Sequence, residues 1–438
     1  MSTSASLSDG LESTRAVRRR DWHTILLIGV AHAASHFFQL VLPSLYVSLS
    51  REFGFDFAQL GLLVSVFYVV SGMGQASSGF LVDRIGARPV LWFGLSCFVA
   101  SGVLIGSAPG YGTLLVAAAV GGLGNSVFHP VDFSLMNRRI SPVRLGHAFS
   151  THGLTGNLGW ALTPVFMTSL ILVANWRVAA FGAATLVALV LLSTIVWRHL
   201  IADETPTDLH VDPVPTASNS AQAAAPAAAG ISTAPADSTP APPGLSGLLR
   251  NPALWAAFGF FMCTSLALAA VQNYSIPLLQ SLYALAPVAA SAALSGYMLA
   301  SAAGMLAGGF LVSSRLNTER IVLIALVLAG CTLVWLALGG VPAMLATPVV
   351  ALAGFCAGVA GPSRDMLIRR VTPRGAMGSV YGLVYSGMDV GSAAAPLAFG
   401  VLLDMGITSG PWVGAGIAFV VGAVLAQLIA YHARRLGR

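Results

Sequence analysis

Three polar side chains recur on one face of a single helix-length stretch: His32, His36 and Gln39 stand at i, i+4 and i+7. A neutral imidazole donates one hydrogen bond, accepts another and changes charge near pH ~6.5. Such a face can bind a polar solute or pass protons. Two histidines four apart can also hold a metal ion, but no third ligand is evident and no metal site is expected. Further on, His129 precedes Asp132 by one helical turn, so it can relay a proton to that acid. Arg364 and Asp365 are neighbours, and Asp389 stands between glycines at 387 and 391. Asn157, Gln272 and Asn273 add uncharged hydrogen-bonding groups, which read as solute contacts or as helix-to-helix bonds. No P-loop, nucleophile motif or metal-ligand cluster is present, so neither an ATP-driven pump nor an enzyme is expected, and no cofactor.

The surroundings make these residues notable. The chain has 438 residues, of which 56% are hydrophobic and only 9% charged, with a mean hydropathy of +0.80. Soluble domains carry about 25% charged residues. A water-facing surface cannot be built from 22 basic and 16 acidic side chains here, so the solvent is a bilayer. The net charge of +6 forms no patch beside aromatic residues, which argues against nucleic acid as a partner. Cys97, Cys263, Cys331 and Cys356 lie in apolar stretches and form no C-x-x-C pair.

A helix needs about 20 apolar residues to cross a bilayer. That ruler predicts an all-α integral membrane protein with twelve transmembrane helices. Six fall at 24–48, 57–80, 89–107, 112–137, 146–172 and 178–199. Six more fall at 252–281, 288–312, 320–339, 344–368, 376–403 and 411–432. The expected organisation is a tail at 1–21 without a cleavable signal peptide, a six-helix half at 22–200, a Pro/Ala/Ser/Thr-rich disordered linker at 201–250, a second half at 251–433 and a tail at 434–438. With the N-terminus in the cytoplasm, all 22 arginines but Arg51, Arg177 and Arg364 fall on the cytoplasmic side, so both termini and the linker are expected there. In that frame Asp132, Arg364, Asp365 and Asp389 are ionisable groups inside spans, which cost several kcal/mol and mark function.

The halves echo each other at an offset near 231. Gly79-Phe80-Leu81-Val82 recurs as Gly309-Phe310-Leu311-Val312, Gly159 pairs with Gly391, Pro164 with Pro396 and Pro43 with Pro277. Equal span numbers in equal orientation give a parallel repeat, the layout of an alternating-access transporter. The offset puts Asp132 and Arg364 at equivalent places. They can form an ion pair between the halves, or Arg364 can dock an anionic substrate while Asp132 or Asp365 carries the proton. Asn157 aligns with Asp389 near mid-membrane, and Asp389 is a proton-coupling candidate.

Gly79-Phe80-Leu81-Val82-Asp83-Arg84-Ile85-Gly86-Ala87-Arg88 resembles the loop signature G-x-L-x-D-R-x-G-R-[RK] of the major facilitator superfamily, with Arg88 one place late. Ser126-Val127-Phe128-His129-Pro130, Gly156-Asn157-Leu158-Gly159, Gln75 and His36-Phe37 are similar to the fosmidomycin-resistance-type exporters. That family has an acid at the place of Leu40, and its acid after the His-Pro is displaced here to Asp132. The resemblance implies that Asp83 faces the start of span eleven and pairs with Arg138 or Arg139, closing an inner gate with Gly79, Arg84, Gly86 and Arg88. Ser313 stands where the second copy of the acid would be, so the lock is expected to rest on Asp83.

The function expected is secondary active transport of a small organic solute or drug by a monomer in a bacterial inner membrane. Proton-antiport efflux is the first form, and proton-symport import of an organic anion the second. A non-transporting receptor or scaffold is the reading from another class.

Overall fold

The computed structural model describes residues 2–202, 251–312, 317–371 and 377–436. The expected linker, apart from residues 201 and 202, lies outside the described residues, as do Ser313 and Arg374. Among the described residues the regular structure is helical, in fifteen α-helices.

The first half holds α1 (Ser2–Gln39), α2 (Val41–Ser44), α3 (Tyr46–Phe53), α4 (Phe57–Ile85), α5 (Ala87–Gly106), α6 (Tyr111–Asn125), α7 (Phe128–Arg139), α8 (Leu145–Val173) and α9 (Trp176–Val196). The second holds α10 (Pro252–Tyr283), α11 (Pro287–Val312), α12 (Thr318–Ala337), α13 (Ala343–Val371), α14 (Met377–Asp404) and α15 (Gly410–Leu436). Local chemistry sets several boundaries. Asp56 and Gln59 form a reciprocal capping box that starts α4. Asn175 caps α9, and Asn251 followed by Pro252 opens α10.

Two expected spans are broken at proline. The first runs as α1, α2 and α3, because Pro43 has no N–H to give the carbonyl four residues back. The fourth divides into α6 and α7 just before His129-Pro130. Pro130 cannot donate to the Ser126 carbonyl, and Ser78 Oγ from α4 takes that carbonyl at 3.0 Å. The break is therefore satisfied by a neighbouring helix.

Eleven stretches of the described helices are long and apolar enough to cross a membrane, counting α6 with α7 as one. The α1 helix falls short of that hydropathy because its apolar run contains His23, His32, His36 and Gln39. With α1 the count is the expected twelve.

Helix pairing repeats between the halves. In the first, α1 packs on α8, α4 on α6, α5 on α6, and α5 on α9. In the second, α10 packs on α14, α11 on α13, α12 on α13, and α12 on α15. Glycines at equivalent places permit the closest approaches. A Cβ on Gly159 of α8 would lie 2.2 Å from the Ala33 carbonyl oxygen of α1, and one on Gly391 of α14 would lie 2.3 Å from that of Met262 in α10. This is the physical content of the Gly159–Gly391 correspondence.

The halves meet along α4 with α14 and along α8 with α11. At the end away from the two termini they are joined by hydrogen bonds. Tyr46 donates to Asn273 Oδ1 at 3.0 Å, and Thr168 and Ser291 share a hydrogen bond of 2.6 Å. Asp404 accepts the backbone amides of Phe57 and Ala58.

Candidate functional site

Asp132 is the centre of the most connected polar cluster among the described residues. It sits on α7, two residues past Pro130, and its side chain is 0% exposed. Its Oδ2 meets His32 Nδ1 from α1 at 2.9 Å and His152 Nε2 from α8 at 3.0 Å. The two imidazoles stack, with centroids 3.5 Å apart and planes 24° apart. Both rings therefore present a nitrogen to one carboxylate oxygen. Asp132 Oδ1 is buried without a hydrogen-bond partner.

Further groups surround this core. His36 stacks at a tilt between His32, at 4.5 Å, and Trp160, at 4.2 Å, and its Nδ1 is buried without a partner. The His129 side chain is exposed, and its ring centroid is 5.8 Å from that of His32. Gly156 makes the room. A Cβ there would lie 3.0 Å from His36 Cε1 and 3.1 Å from His32 Nε2. Toward the other end, Trp160 donates to Gln39 Oε1 at 2.9 Å, Gln39 donates to Asn125 Oδ1 at 2.9 Å, and Asn125 donates to Ser71 at 2.8 Å. Two hydrogen-bonded groups, joined by the ring contacts of His36 with His32 and Trp160, thus run through α1, α4, α6, α7 and α8.

The structure brings together His36, His129 and Asp132 with the helix face of His32 and Gln39. It does not join Asp132 to Arg364 as the equivalence of their positions suggested. The Asp132 Oδ2 is engaged by imidazoles of its own half, while the Arg364 guanidinium lies 4.9 Å above the Phe261 ring on α10. The Asp365 side chain lies outside the described residues. Asn157 is buried and donates to the Gly153 carbonyl of its own helix at 3.0 Å. Asp389 packs against α4, its Cβ 3.3 Å from where a Cβ on Gly72 would stand. Asn273 is engaged by Tyr46 and donates to the Ala269 carbonyl at 2.7 Å, whereas Gln272 Nε2 is buried without a partner.

Of the two arginines expected to face Asp83, Arg138 does so, at 3.6 Å between a guanidinium nitrogen and Oδ1. The buried Arg139 instead donates to the carbonyls of Leu200, at 3.3 Å, and His199, at 3.0 Å. Asp83 is 78% exposed. Gly86 adopts φ +92°, which explains the glycine at this turn. A Cβ on Gly79 would meet nothing within 4 Å, so close approach does not explain the glycine there. Arg84 is exposed, and Arg88 lies 5.5 Å from the Trp92 ring centroid.

Sequence reasoning missed His152. No local signal links it to Asp132, twenty residues earlier, or to His32. The available hint was its position four residues before Gly156, which puts it on the helix face that Gly156 opens toward α1. His32, Asp132 and His152 also supply the metal-ligand types that the sequence did not bring together.

Twelve spans in two repeated halves, with ionisable groups buried inside the first of them, mark a polytopic membrane protein. The chain belongs to the Major Facilitator Superfamily, whose profile matches residues 26–342 and 266–435. It is 31% identical over 212 residues to the fosmidomycin resistance protein of Escherichia coli, covering 47% of this chain and 52% of that one. It is 23% identical to a probable nitrate/nitrite transporter, NarK2, of Mycobacterium tuberculosis, over 89% of this chain and 91% of that one. A 30% identity to the membrane sensor protein UhpC of Escherichia coli covers 41% and 42%. The chain thus spans about half the length of the fosmidomycin resistance protein it matches. In fold it is similar to a bacterial homolog of the human lysosomal transporter Spinster, solved inward-facing and occupied. The TM-score is 0.69 and the identity 14%, over 94% of this chain and 96% of that one.

Proposed function

We propose that this chain is a proton-coupled exporter of a small organic solute or drug, acting by antiport. The observation that carries the reading is Asp132, fully buried and shared by His32 and His152. A carboxylate with two imidazoles can hold or release a proton with little movement, which is what coupling requires. Gln39 and His36 on the same helix face, with Asn157, Gln272, Asn273 and Arg364, would contact solute. The similarity to a fosmidomycin resistance protein supports efflux.

In this reading the halves 22–200 and 251–433 rock as a monomer in a bacterial inner membrane, with both termini and the linker 201–250 in the cytoplasm. The bonds from Asp404, Tyr46 and Thr168 then close the outer end. The exposed Asp83 lies at an open inner end, where Gly79, Arg84, Gly86, Arg88 and Arg138 would gather when it shuts. His129, Asp365 and Asp389 are the further proton-coupling groups.

A second reading, import of an organic anion with protons, is favoured by Arg364, whose guanidinium faces the Phe261 ring across α10 and α13. Relatives described as a probable nitrate/nitrite transporter and a probable L-galactonate transporter, both named for anionic solutes, support it. Proteoliposomes decide between the two. An outward proton gradient drives solute uptake by antiport and opposes it by symport. If neither gradient moves any candidate solute, both fail and a receptor role gains.

A further inference from the structure

We infer that His32, Asp132 and His152 form a binding site for a divalent transition-metal ion, of the zinc, cobalt or nickel kind. One ligand atom from each lies within 4.8 Å of the other two. Two imidazoles and a carboxylate are the ligand set that suits such ions, with a position left open for another donor. The observed separations of 2.9 and 3.0 Å from Asp132 Oδ2 to the two nitrogens are close to the need. A tetrahedral ion with bonds of about 2.0 Å has donor-to-donor edges of about 3.3 Å. The side chains must open by a few tenths of an ångström.

The hydrogen bonds at this cluster leave two polar atoms unused. Asp132 Oδ1 and His36 Nδ1 are both buried with no hydrogen-bond partner. Polar atoms left unpaired in an apolar interior are costly, and a cation recovers that cost at the carboxylate oxygen and at an unprotonated imidazole nitrogen. Oδ1 can make the carboxylate bidentate, and His36 stands 4.5 Å from His32, centroid to centroid. The exposed His129 ring, 5.8 Å from that of His32, gives a first landing point for an entering ion. Gly156 keeps the space open, since a Cβ would crowd the His32 and His36 rings.

Binding balances without an added reactant. Each ring gives up its N–H···O bond to Asp132 and moves that proton to its other nitrogen, so two neutral imidazoles coordinate the ion beside one carboxylate. The site goes beyond the proton reading and does not require it. A chain that moves no solute can still hold the ion, and a proton-coupled carrier can lack it.

The test is equilibrium binding of Co2+ to the purified full-length protein, prepared without a polyhistidine tag. One ion per chain is expected, with the visible absorption of a low-coordinate nitrogen and oxygen set. His32→Ala, His152→Ala and Asp132→Asn should each weaken it at least about tenfold. His23→Gln, at an exposed histidine outside the cluster, should leave it unchanged. X-ray absorption on the unaltered chain needs no variant to fold and should show imidazole scattering. Absence of saturable uptake, no imidazole around the ion, or equal affinity in the cluster variants overturns the site.

Discussion

The carboxylate of Asp404, the last residue of α14, accepts the backbone amide of Ala58 at 2.7 Å in the first turn of α4. Its other oxygen accepts the amide of Phe57 at 2.9 Å. An acid of one half thus caps a helix of the other, where the unpaired amides and the helix dipole favour negative charge. Loss of a cap costs about 1–2 kcal/mol. Asp404→Ala should therefore move the ratio of open to closed conformers at this end roughly five- to thirty-fold toward open. Hydrogen exchange at the Phe57 and Ala58 amides reads this directly, since Asp404 covers both in the closed form. Unchanged conformer ratios in a well-folded Asp404→Ala protein would count against the cap.

The Asp132 cluster should separate coupling from exchange. Asp132→Asn keeps the shape of the side chain and removes its charge. It is expected to abolish solute movement driven by a proton gradient while leaving solute-for-solute exchange at near wild-type rates. His152→Ala should do the same in part. Full gradient-driven flux in Asp132→Asn would remove this acid from the coupling scheme.

Gly159 and Gly156 differ in what an added methyl group meets. At Gly159 it is the main chain of α1, which cannot rotate away; at Gly156 it is two imidazoles, which can. Gly159→Ala should lower the thermal midpoint in detergent by several degrees, through about 1–3 kcal/mol of overpacking. Gly156→Ala should cost less stability and more transport. Equal melting losses in the two variants would show that the imidazoles are as rigid as backbone.

Asp83 and Arg138 make an exposed pair at 3.6 Å, longer than a hydrogen bond. Such pairs contribute about 0–1 kcal/mol. If Asp83 acts as the proposed gate in the conformer where the inner end is shut, Asp83→Asn should leave the melting temperature nearly unchanged and still impair transport. A large loss of stability with normal flux would invert its role.

Outside the membrane, Trp176 and then Arg177 hold the Glu52 carboxyl below the ordinary carboxylate range by hydrogen bonding. A depressed folded-state value stabilises the fold above the unfolded value, about 4.3 for glutamate, and the gain is lost as pH falls through the lower folded value. Between pH ~5 and ~3 the melting temperature of the wild type should fall more steeply than that of Glu52→Gln. Parallel curves would mean that the contact adds nothing to stability.

Much of this architecture is legible in the chain. Apolar run lengths predict the spans, and the scarcity of embedded charge singles out Asp132 and Asp389. Helical spacing puts His32 and His36 on one face. What does not follow from spacing is who meets whom. Asp132 and Arg364 occupy matching depths in matching helices, yet each helix lies in its own half, and symmetry of position is no contact. His152 joins Asp132 through the packing of α7 on α8 and α1, which depends on the break at Pro130 and on the absence of a side chain at Gly156. Those are features of three helices at once, and no single stretch of sequence contains them.

The histidines that build the site also make α1 the least apolar of the twelve spans, and this bears on biogenesis. A nascent α1 reaches the insertion machinery before the partners that satisfy His32. Those partners, on α7 and α8, emerge about a hundred residues later, roughly 5–20 s at ordinary rates of synthesis. Insertion and assembly of this half are then expected to be a single event, with α1 held until α8 arrives. A chain truncated before α4, with α1 as its one long helix, should be extractable by alkali, whereas the full chain stays in the bilayer.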